Sequence, residues 1–558
     1  MKIYSKLTIL FLSVTSLLLY SCNSVFDELA TNPNQQDVSN FYTSAENINK
    51  GVIGIYSYIT TPRAMGASIG RLLANRGDES SDRSDYGQPG QYAANVNSSW
   101  YTLVQPFSLM YTAASQACQM IEVIPNVTFT NEKQKNAYLG EAYFLRAYCH
   151  WFLFLNFRNI PLMKELPTSA KDYKAQATPE EAWDFIISDL KMAKSLLPAK
   201  GYWTGSNLGR VTSASATALL GKAYLYRSGI EPKYGNSNKT YYDEAASAFD
   251  EIIKGQHGKF KLMDDYNDNF RIATENNDES ILEWQFVGDA VNTGFNPGLT
   301  NSGVWRDPRG YMIPVTKQAG NHVIHDWVYN TFVNSKDVNG YTDSRMFGTL
   351  VFDDSAPEIK AKAGDKVKIF DGKGFTEFYG SKGFASVNSS AGNYKSACRK
   401  GIDWTLPTVN PGTNLYMWNV RANGLNYNEI RYADILLMYA ESVVKGGKQG
   451  SITALEAVNQ VRARKSVNVP ALTKVDMSDI ENERILELTQ EGYRFFDLLR
   501  WGKVAQRFSE LEKSDPYFKQ YNVSEYLGFK EGKNEWLPLP VDEVEGNPYI
   551  TTNNPGWN

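Results

Sequence analysis

The chain has 558 residues, of which 42% are hydrophobic and 21% are charged. This composition is that of globular proteins and excludes a disordered or fibrous chain, and the length excludes a small disulfide-stabilised fold. The 57 basic and 61 acidic residues give a formal charge of −4. Because this leaves no excess positive charge for a polyanion, nucleic acid is not expected as a partner.

The amino terminus is typical of a targeting segment. Two lysines precede an apolar run at residues 7–19, and a run of about 13 residues is too short to span a bilayer but fits a secretory signal. The run is followed by Ser21 and Cys22, and a small residue next to a cysteine resembles the bacterial lipoprotein signal. Residues 1–21 are therefore predicted to be a lipoprotein signal peptide, with Cys22 lipidated. An ordinary cleaved signal that leaves Cys22 free is the alternative.

The other cysteines predict neither a disulfide framework nor a zinc ribbon. Cys118, Cys149 and Cys398 are an odd number of residues without C-x-x-C spacing. Cys118 and Cys149 lie in apolar helical patterns, where a free cysteine behaves as a small buried hydrophobe. His322 and His325 have the spacing of a metal pair, but no pattern supplies a third ligand. We therefore predict no metal site and no cofactor.

Helix starts are marked along the chain by capping boxes. A Thr or Ser followed three residues later by Glu occurs at 43–46, 178–181 and 478–481, and each precedes an apolar-periodic run. The second box also has Pro179 at the first helical position, where its missing N–H costs nothing. Each box predicts the first turn of a helix.

The helices are predicted to pack in pairs like those of the tetratricopeptide repeat, in which a small residue of one helix meets the next helix. Gly140 with Tyr143 is expected to meet Ala182 and Ile186, and Gly221 with Tyr224 is expected to meet Ala245 and Phe249. A third candidate pair lies within residues 432–464. The loops are too long for a regular array, but three or more stacked pairs can share one core.

Between residues 259 and 426 the helical periodicity gives way to glycines, asparagines and isolated aromatics, with short strand-like runs at 280–288 and 348–354. The predicted fold class is mainly α. A tetratricopeptide-like scaffold of helical pairs is expected at 22–258 and 427–558, and a loop-rich region that contains short strands is expected at 259–426.

Four motifs identify a family. They are NEIRYADILLMYAE at 428–441, ALEAVNQVRARK at 454–465, ERILELTQEGYRFFDLLRWGK at 483–503 and WLPLPVDEVEGNPYITTNNPGW at 536–557. With these motifs in this order, the chain resembles the SusD/RagB family, surface lipoproteins that capture nutrients for an outer-membrane porter. The resemblance covers nearly the whole chain from Cys22 onward. It is weakest at 285–420, where family members differ.

The resemblance implies a non-catalytic binding protein. It implies a lipid anchor in the outer membrane through Cys22, and Asp27 and Glu28 resemble the acidic export tag of surface-exposed relatives. The implied partner is a SusC-like TonB-dependent porter, and the implied ligand is a glycan captured by the variable region 259–426. A peptide or another nutrient as ligand, a surface hydrolase and a protein-binding repeat scaffold are the alternatives.

The motifs that could support catalysis are weak. Residues 66–70 satisfy G-x-S-x-G, but a nucleophile elbow needs a preceding strand and a histidine within reach. Four charged residues, Arg484, Glu487, Glu491 and Arg494, have spacings of 3, 4 and 3, which place them on one helix face. The resemblance implies that these four form structural ion pairs rather than an acid/base site.

Exposed aromatics are the candidates for ligand binding. A sugar ring has apolar C–H faces and a rim of hydroxyls, so a glycan site needs flat aromatics and polar groups around them. Trp305, Trp327 and Trp404 lie in polar, Gly- and Pro-rich surroundings, and Tyr86 and Tyr92 lie in an irregular stretch. We predict that these five residues contact the ligand.

Three other tryptophans are assigned to the core. Trp151, Trp183 and Trp501 lie in apolar runs with helical spacing, and a large aromatic in such a run faces the interior. They are therefore not expected to bind ligand.

Overall fold

The computed structural model of the chain describes residues 41–61, 64–65, 72–73, 76–82, 96–169, 171–235, 237–286, 322–365, 374–375, 394–401, 403, 424–515, 518 and 527–557. Helices dominate these residues, as the sequence predicts. Among them, no helix is both long and apolar enough to cross a membrane.

The helices fall into three groups along the chain. The amino-terminal helices are α1 (Ala45–Thr60), α2 (Tyr101–Val123), α3 (Glu132–Phe157), α4 (Pro179–Leu196), α5 (Ser213–Tyr234) and α6 (Tyr242–Ile253). The middle helices are α7 (Asp326–Asn334) and α8 (Arg345–Thr349). The carboxyl-terminal helices are α9 (Tyr432–Val444), α10 (Ala454–Arg462), α11 (Met477–Leu488), α12 (Arg494–Arg500), α13 (Val504–Ser514) and α14 (Val541–Gly546).

The long helices stack in chain order. Each of α1 to α5 packs against the helix that follows it, α6 packs against α9, and α9 packs against α10 and α11. The three predicted pairs, α3 with α4, α5 with α6 and α9 with α10, are confirmed. Their buried side chains form one continuous core, which is the tetratricopeptide-like arrangement that the sequence predicts.

The capping boxes locate the helices, although two of the three capping residues differ from the prediction. Thr178 caps α4 as predicted, and the carboxylate of Glu181 accepts a hydrogen bond from the Thr178 N–H at 2.8 Å. The cap of α1 is Ser44 rather than the preceding residue. The cap of α11 is Asp476, whose carboxylate accepts hydrogen bonds from the N–H groups of Ser478 and residue 479. Both alternatives are strong capping residues within two positions of the predicted start.

Two glycines show how closely the paired helices approach. A Cβ on Gly221 would lie 2.7 Å from Cε1 of Phe249, so this predicted contact is confirmed. A Cβ on Gly140 would lie 2.9 Å from Cγ of Leu197, just past the carboxyl end of α4. The predicted contact of Gly140 with Ala182 is therefore wrong. Ala182 is in the first turn of α4, at the opposite end of that helix.

Gly221→Ala is expected to lower the free energy of unfolding by about 1–3 kcal/mol, because the added methyl group overpacks the interface of α5 and α6. The ring of Phe249 is fully buried and would have to move. Chemical denaturation followed by circular dichroism measures the change. A matched control is Gly54→Ala on α1, where a Cβ meets no atom within 4 Å and a gain of about 0.5–1 kcal/mol is expected. Equal stability of the two variants would contradict this packing.

Short antiparallel strands form two small sheets. The larger sheet has the order β1 (Ser80–Asp82), β3 (His322–Ile324), β5 (Ser396–Cys398) and β4 (Leu350–Phe352). The smaller sheet pairs β2 (Ser280–Trp284) with β6 (Tyr427–Arg431). The strand-like runs at 280–288 and 348–354 are thus confirmed as β2 and β4. The division of the chain at residues 258 and 427 stays a prediction.

A second, smaller core lies beside the larger sheet. It is built from α7, α8, β3, β4 and β5, and Ile485 and Leu486 of α11 complete it. Since Ile480 of the same helix belongs to the main core, α11 separates the two cores and contacts both. α11 is therefore the helix through which the strand region packs against the helical stack.

The predicted interior residues behave largely as expected. Trp151 and Trp183 are buried, as are all three described cysteines. Trp501 is only half-buried, and its indole N–H donates to Glu441 at 2.9 Å. It packs against the main core at the surface rather than inside it.

Candidate functional site

Trp327 is the one predicted ligand contact that falls within the described residues. It is the second residue of α7, which directly follows β3. Its side chain is half-buried and packs against both hydrophobic cores. Trp327 therefore lies in a helix that packs against the two cores, whereas its sequence context indicated a loop.

Asp78 fixes the position of the Trp327 ring. The carbonyl oxygen of Asp78 accepts hydrogen bonds from Trp327 Nε1 at 2.8 Å and from His325 Nδ1 at 2.9 Å. Its carboxylate accepts from Arg494 Nε at 2.7 Å and from Arg507 Nε at 2.6 Å. Burial alone would raise the pKa of Asp78, but the two guanidinium groups outweigh it and lower the pKa. A buried carboxylate that is fully ionised thus joins β1 to α12 and α13.

His325 is a structural residue rather than a metal ligand. A carbonyl oxygen only accepts, so the Nδ1 atom that contacts Asp78 carries the proton and Nε2 accepts from Ser81 Oγ at 2.7 Å. Burial lowers the pKa of His325, so the ring is neutral. Among the described residues, no group of three or more side chains could hold a metal ion.

The Trp327 ring is flanked by two arginines. The guanidinium carbon of Arg507 lies 4.3 Å from the ring centroid, and that of Arg494 lies 5.6 Å from it. Both distances are in the range of a cation–π contact. The indole is therefore held through its N–H and through its ring, and only its remaining exposed part can meet a ligand.

An open groove of about 350 Å³ runs past this exposed part. Its apolar base is formed by Trp327, Ile485 and Leu498. Its polar rim comes from α11, α12 and α13 and consists of Ser478, Glu481, Asn482, Arg494, Lys503, Gln506, Arg507 and Glu510. Flat apolar surface surrounded by hydrogen-bonding groups is the arrangement that a sugar ring requires. We call this feature the Trp327 groove.

An internal cavity lies behind the groove and shares Ile485 and Arg494 with it. Its volume of about 20 Å³ is room for a single water molecule. A ligand of the size of a sugar therefore fits the Trp327 groove but not this cavity.

Glu79 lines the internal cavity and differs sharply from its neighbour. Its Oε1 accepts hydrogen bonds from the backbone N–H of Gln490 at 3.0 Å and from its side-chain Nε2 at 3.1 Å. Burial raises the pKa of Glu79 to about 8, although the Gln490 N–H acts in the opposite direction. Glu79 is thus neutral at pH 7, next to the ionised carboxylate of Asp78.

A buried ion-pair network supports α11 from the side opposite the groove. Its cations are Arg345, Lys400, Arg431, Arg462 and Arg464, and its anions are Glu279, Asp343, Glu483, Glu487 and Glu491. Five charges of each sign are present, so the buried set is neutral overall. We call it the Glu487 network, because Glu487 pairs with three of its cations, Arg345, Arg431 and Arg464.

The prediction that four charged residues line one helix face is wrong. α11 ends at Leu488 and α12 begins at Arg494, and the intervening chain has positive φ angles at Gln490 and Gly492. The four residues do form structural ion pairs, but with distant partners rather than with one another. Arg484, for example, pairs with Asp434 and Asp497, whereas Glu487 pairs with Arg345, Arg431 and Arg464.

The other predicted ligand-binding and anchoring residues, Cys22, Tyr86, Tyr92, Trp305 and Trp404, lie outside the described residues, as does the G-x-S-x-G segment at 66–70. Asp82 and His322 are register partners in the pairing of β1 with β3. One end of segment 83–95 is therefore next to one end of segment 287–321.

Comparison with known families assigns the chain. The model of the SusD family matches residues 233–557, and a second model, described as starch-binding associating with outer membrane, matches residues 27–225. The chain belongs to the SusD family. The resemblance seen in the sequence motifs is thereby confirmed.

Several SusD-like relatives match along most of the chain. SusD-like protein P2 of Formosa agariphila is 25% identical over 540 residues, which cover 93% of this chain and 94% of the relative. A SusD-like protein of Bacteroides ovatus is 24% identical over 571 residues, which cover 99% and 93%. The likeness thus extends over the whole SusD-family architecture and not over one segment.

Solved SusD structures share the fold. A SusD homologue from Bacteroides thetaiotaomicron superposes with a TM-score of 0.72 at 21% identity, covering 94% of this chain and 99% of the homologue. A SusD superfamily protein from Bacteroides vulgatus gives a TM-score of 0.70 at 23% identity, covering 93% and 100%. The helical stack with its appended strand region is therefore the SusD fold.

Proposed function

We propose that this protein is a non-catalytic, cell-surface glycan-binding lipoprotein that captures oligo- or polysaccharide and delivers it to a SusC-like TonB-dependent outer-membrane porter. The observation that carries the proposal is the Trp327 groove, an apolar aromatic base with a hydrogen-bonding rim, in a protein of the SusD family. Binding without turnover is proposed because the ionised groups of the groove are engaged in ion pairs.

Neighbours in the same fold support a glycan as the ligand. One is a laminarin-binding SusD-like protein with a TM-score of 0.64 and 22% identity. Another is surface glycan-binding protein A of Bacteroides thetaiotaomicron in complex with laminarihexaose, with a TM-score of 0.65 and 18% identity. At these identities the comparison supports the class of ligand and leaves the particular sugar to experiment.

We place the ligand contacts at Trp327 and at the four predicted aromatics Trp305, Trp404, Tyr86 and Tyr92. The pairing of Asp82 with His322 supports this grouping for Trp305, Tyr86 and Tyr92, because it joins one end of each of their two segments at β3, which precedes α7 in the chain. An open platform also suits a sugar, since stacking on its faces does not require every hydroxyl to be desolvated.

Trp305→Ala and Trp327→Ala are each expected to weaken glycan binding about tenfold, because a main stacking contact contributes roughly 1–2 kcal/mol. The measurement is affinity electrophoresis of the full chain in detergent against a panel of polysaccharides. Folded content is recorded in parallel by circular dichroism, so that loss of binding can be separated from loss of structure.

Two aromatic controls accompany these variants. Trp183 is fully buried, so Trp183→Ala should lose stability by about 3–5 kcal/mol without a selective effect on affinity. Tyr549 is 61% exposed and lies outside the groove, so Tyr549→Ala should change neither property. Unchanged glycan affinity in both Trp305→Ala and Trp327→Ala would remove these residues from the site, and retention of peptides alone would replace glycan as the ligand.

The membrane anchor is proposed to be the lipid on Cys22. Support comes from the signal-like sequence at 1–21 and from the family model that associates such proteins with the outer membrane. Cys22→Ala is expected to release the protein from membrane fractions, since a lipid chain supplies the hydrophobic attachment. Immunoblots of separated membranes and protease treatment of intact cells measure this. A variant that remains membrane-bound, or a protease-protected protein, would contradict the anchor or the surface location.

A further inference from the structure

Every cation of the Trp327 groove is paired with a carboxylate, and we propose that the groove selects uncharged saccharides and rejects acidic ones. This inference rests on the proposed function and specifies the ligand class of the same site. It is argued from the described lining of the groove, which has three cations and two carboxylates, together with the buried carboxylate of Asp78 behind it.

Each cation of the groove already has a carboxylate partner. Arg494 contacts Asp78 through Nε at 2.7 Å and Nη2 at 3.1 Å, and Arg507 Nε contacts Asp78 at 2.6 Å. Arg507 Nη1 also lies 3.3 Å from Glu510. Lys503 Nζ donates to both oxygens of Glu481 at 2.7 and 2.8 Å. The three cations are thus balanced by the two carboxylates of the rim and the buried carboxylate of Asp78, and this set carries no net charge.

An acidic sugar would have to compete with these carboxylates for every cation of the groove. A carboxylate or sulfate group is recognised by an arginine fork or a lysine whose donors are available. Here the Arg494 fork is occupied by Asp78, which is fully buried and forms part of the β1 region. An anionic ligand in the groove would also be close to the rim carboxylates of Glu481 and Glu510, which would repel it.

A neutral sugar, in contrast, finds partners without disturbing the ion pairs. The exposed amide of Asn482 offers a donor and an acceptor to sugar hydroxyls. Gln506 uses its Nε2 to bind Glu510 at 2.8 Å, which leaves its carbonyl oxygen as an acceptor. Carboxylate oxygens of the rim accept further hydroxyl protons, and Trp327 supplies apolar surface to the C–H faces.

The test is affinity electrophoresis of the full chain in detergent at low salt. One set of gels contains neutral polysaccharides, namely laminarin, starch, mannan and xylan, and the other contains alginate and polygalacturonate. Retention by at least one neutral polysaccharide and by neither acidic one is expected. Retention by an acidic polysaccharide alone would overturn the selectivity while leaving glycan binding intact. Retention by none of them would overturn the proposed function and the selectivity with it.

A single substitution should change the selectivity. Glu481→Gln releases Lys503, so binding of alginate or polygalacturonate should tighten about fivefold, the effect of one ion pair at 4 Å in water. The gain should vanish at high ionic strength, where charges are screened. Asp278→Asn is the matched control, because it releases Lys261 from an exposed pair outside the groove and changes the net charge equally. An equal gain in both variants, or none in Glu481→Gln, would contradict the proposal.

Discussion

Glu487→Gln is expected to lower the free energy of unfolding by about 3–5 kcal/mol, the usual cost of removing one partner from a buried ion pair. Glu487 Oε1 accepts hydrogen bonds from Arg431 at 2.6 Å and from Arg464 at 2.7 Å, and Oε2 accepts from Arg345 at 3.0 Å. All four side chains are almost completely inaccessible to solvent. The amide removes the counter-charge of three buried guanidinium groups and turns N–H donors toward them. Urea denaturation measures the loss.

The matched control for this prediction is Glu481→Gln on the same helix. Glu481 pairs with Lys503 at the surface, where 21% and 46% of the two side chains are exposed. A pair of this kind contributes at most about 1 kcal/mol. Equal losses in the two variants would show that burial in the Glu487 network has no special effect on stability.

Glu487 also makes the free energy of unfolding depend on pH in the acid range. Burial raises the pKa of Glu487, but the arginines outweigh it and hold the pKa far below its ordinary value of 4.5. A depressed pKa contributes stability that is complete above 4.5 and is lost as the pH falls toward the folded value. The difference in stability between the wild-type protein and Glu487→Gln should therefore be constant from pH 7 to about 5 and shrink in stronger acid.

Glu79→Gln is expected to raise the free energy of unfolding by roughly 4 kcal/mol at pH 8. The pKa of Glu79 is about 8 in the folded protein and 4.5 is its ordinary value. Between these values the unfolded chain releases a proton that the folded protein keeps, so stability falls as the pH rises. The amide is neutral at every pH and retains the oxygen that accepts from Gln490.

The prediction for Glu79→Gln is measured by denaturation curves of the variant and the wild-type protein from pH 5 to pH 8.5. The gain from Glu79→Gln should be small at pH 5 and should increase toward pH 8. Asp78→Asn is the control, because Asp78 is ionised and pairs with Arg494 and Arg507. Asp78→Asn, which is also a change from acid to amide, should destabilise the protein by about 3–5 kcal/mol. A pH-independent effect of Glu79→Gln would contradict a raised pKa.

The helical scaffold could be predicted because its determinants are local. Apolar periodicity and a capping residue lie within a few positions of the helix that they specify, so α4 is located to the residue by Thr178. The contact of Gly221 with Phe249 follows from neighbouring helices joined by a short connection. Gly140 shows the limit of this reasoning, because its partner depends on which ends of α3 and α4 meet.

The site was less predictable because its contacts are between distant segments. The polar context of Trp327 gave no sign of the arginines on α12 and α13 that flank its ring. The Glu487 network was missed for the same reason, although Arg431 carried a signal. A charged residue directly before the largely apolar segment at 432–440 requires a partner if it is buried, and no spacing rule identifies Glu487 as that partner.

The contacts of Asp78 have a consequence for biogenesis. Asp78 is separated from Arg494 by 416 residues and from Arg507 by 429 residues. Synthesis proceeds from the amino terminus, so most of the α1–α6 stack can form while these arginines do not yet exist. These two ion pairs can form only after about nine-tenths of the 558 residues have been made. A chain truncated before residue 494 would still contain the sequence of α1 to α11, but the Asp78 carboxylate would lack both of its arginine partners. Asp78 would then have to hold the Trp327 indole through its carbonyl oxygen without those ion pairs to fix its own position.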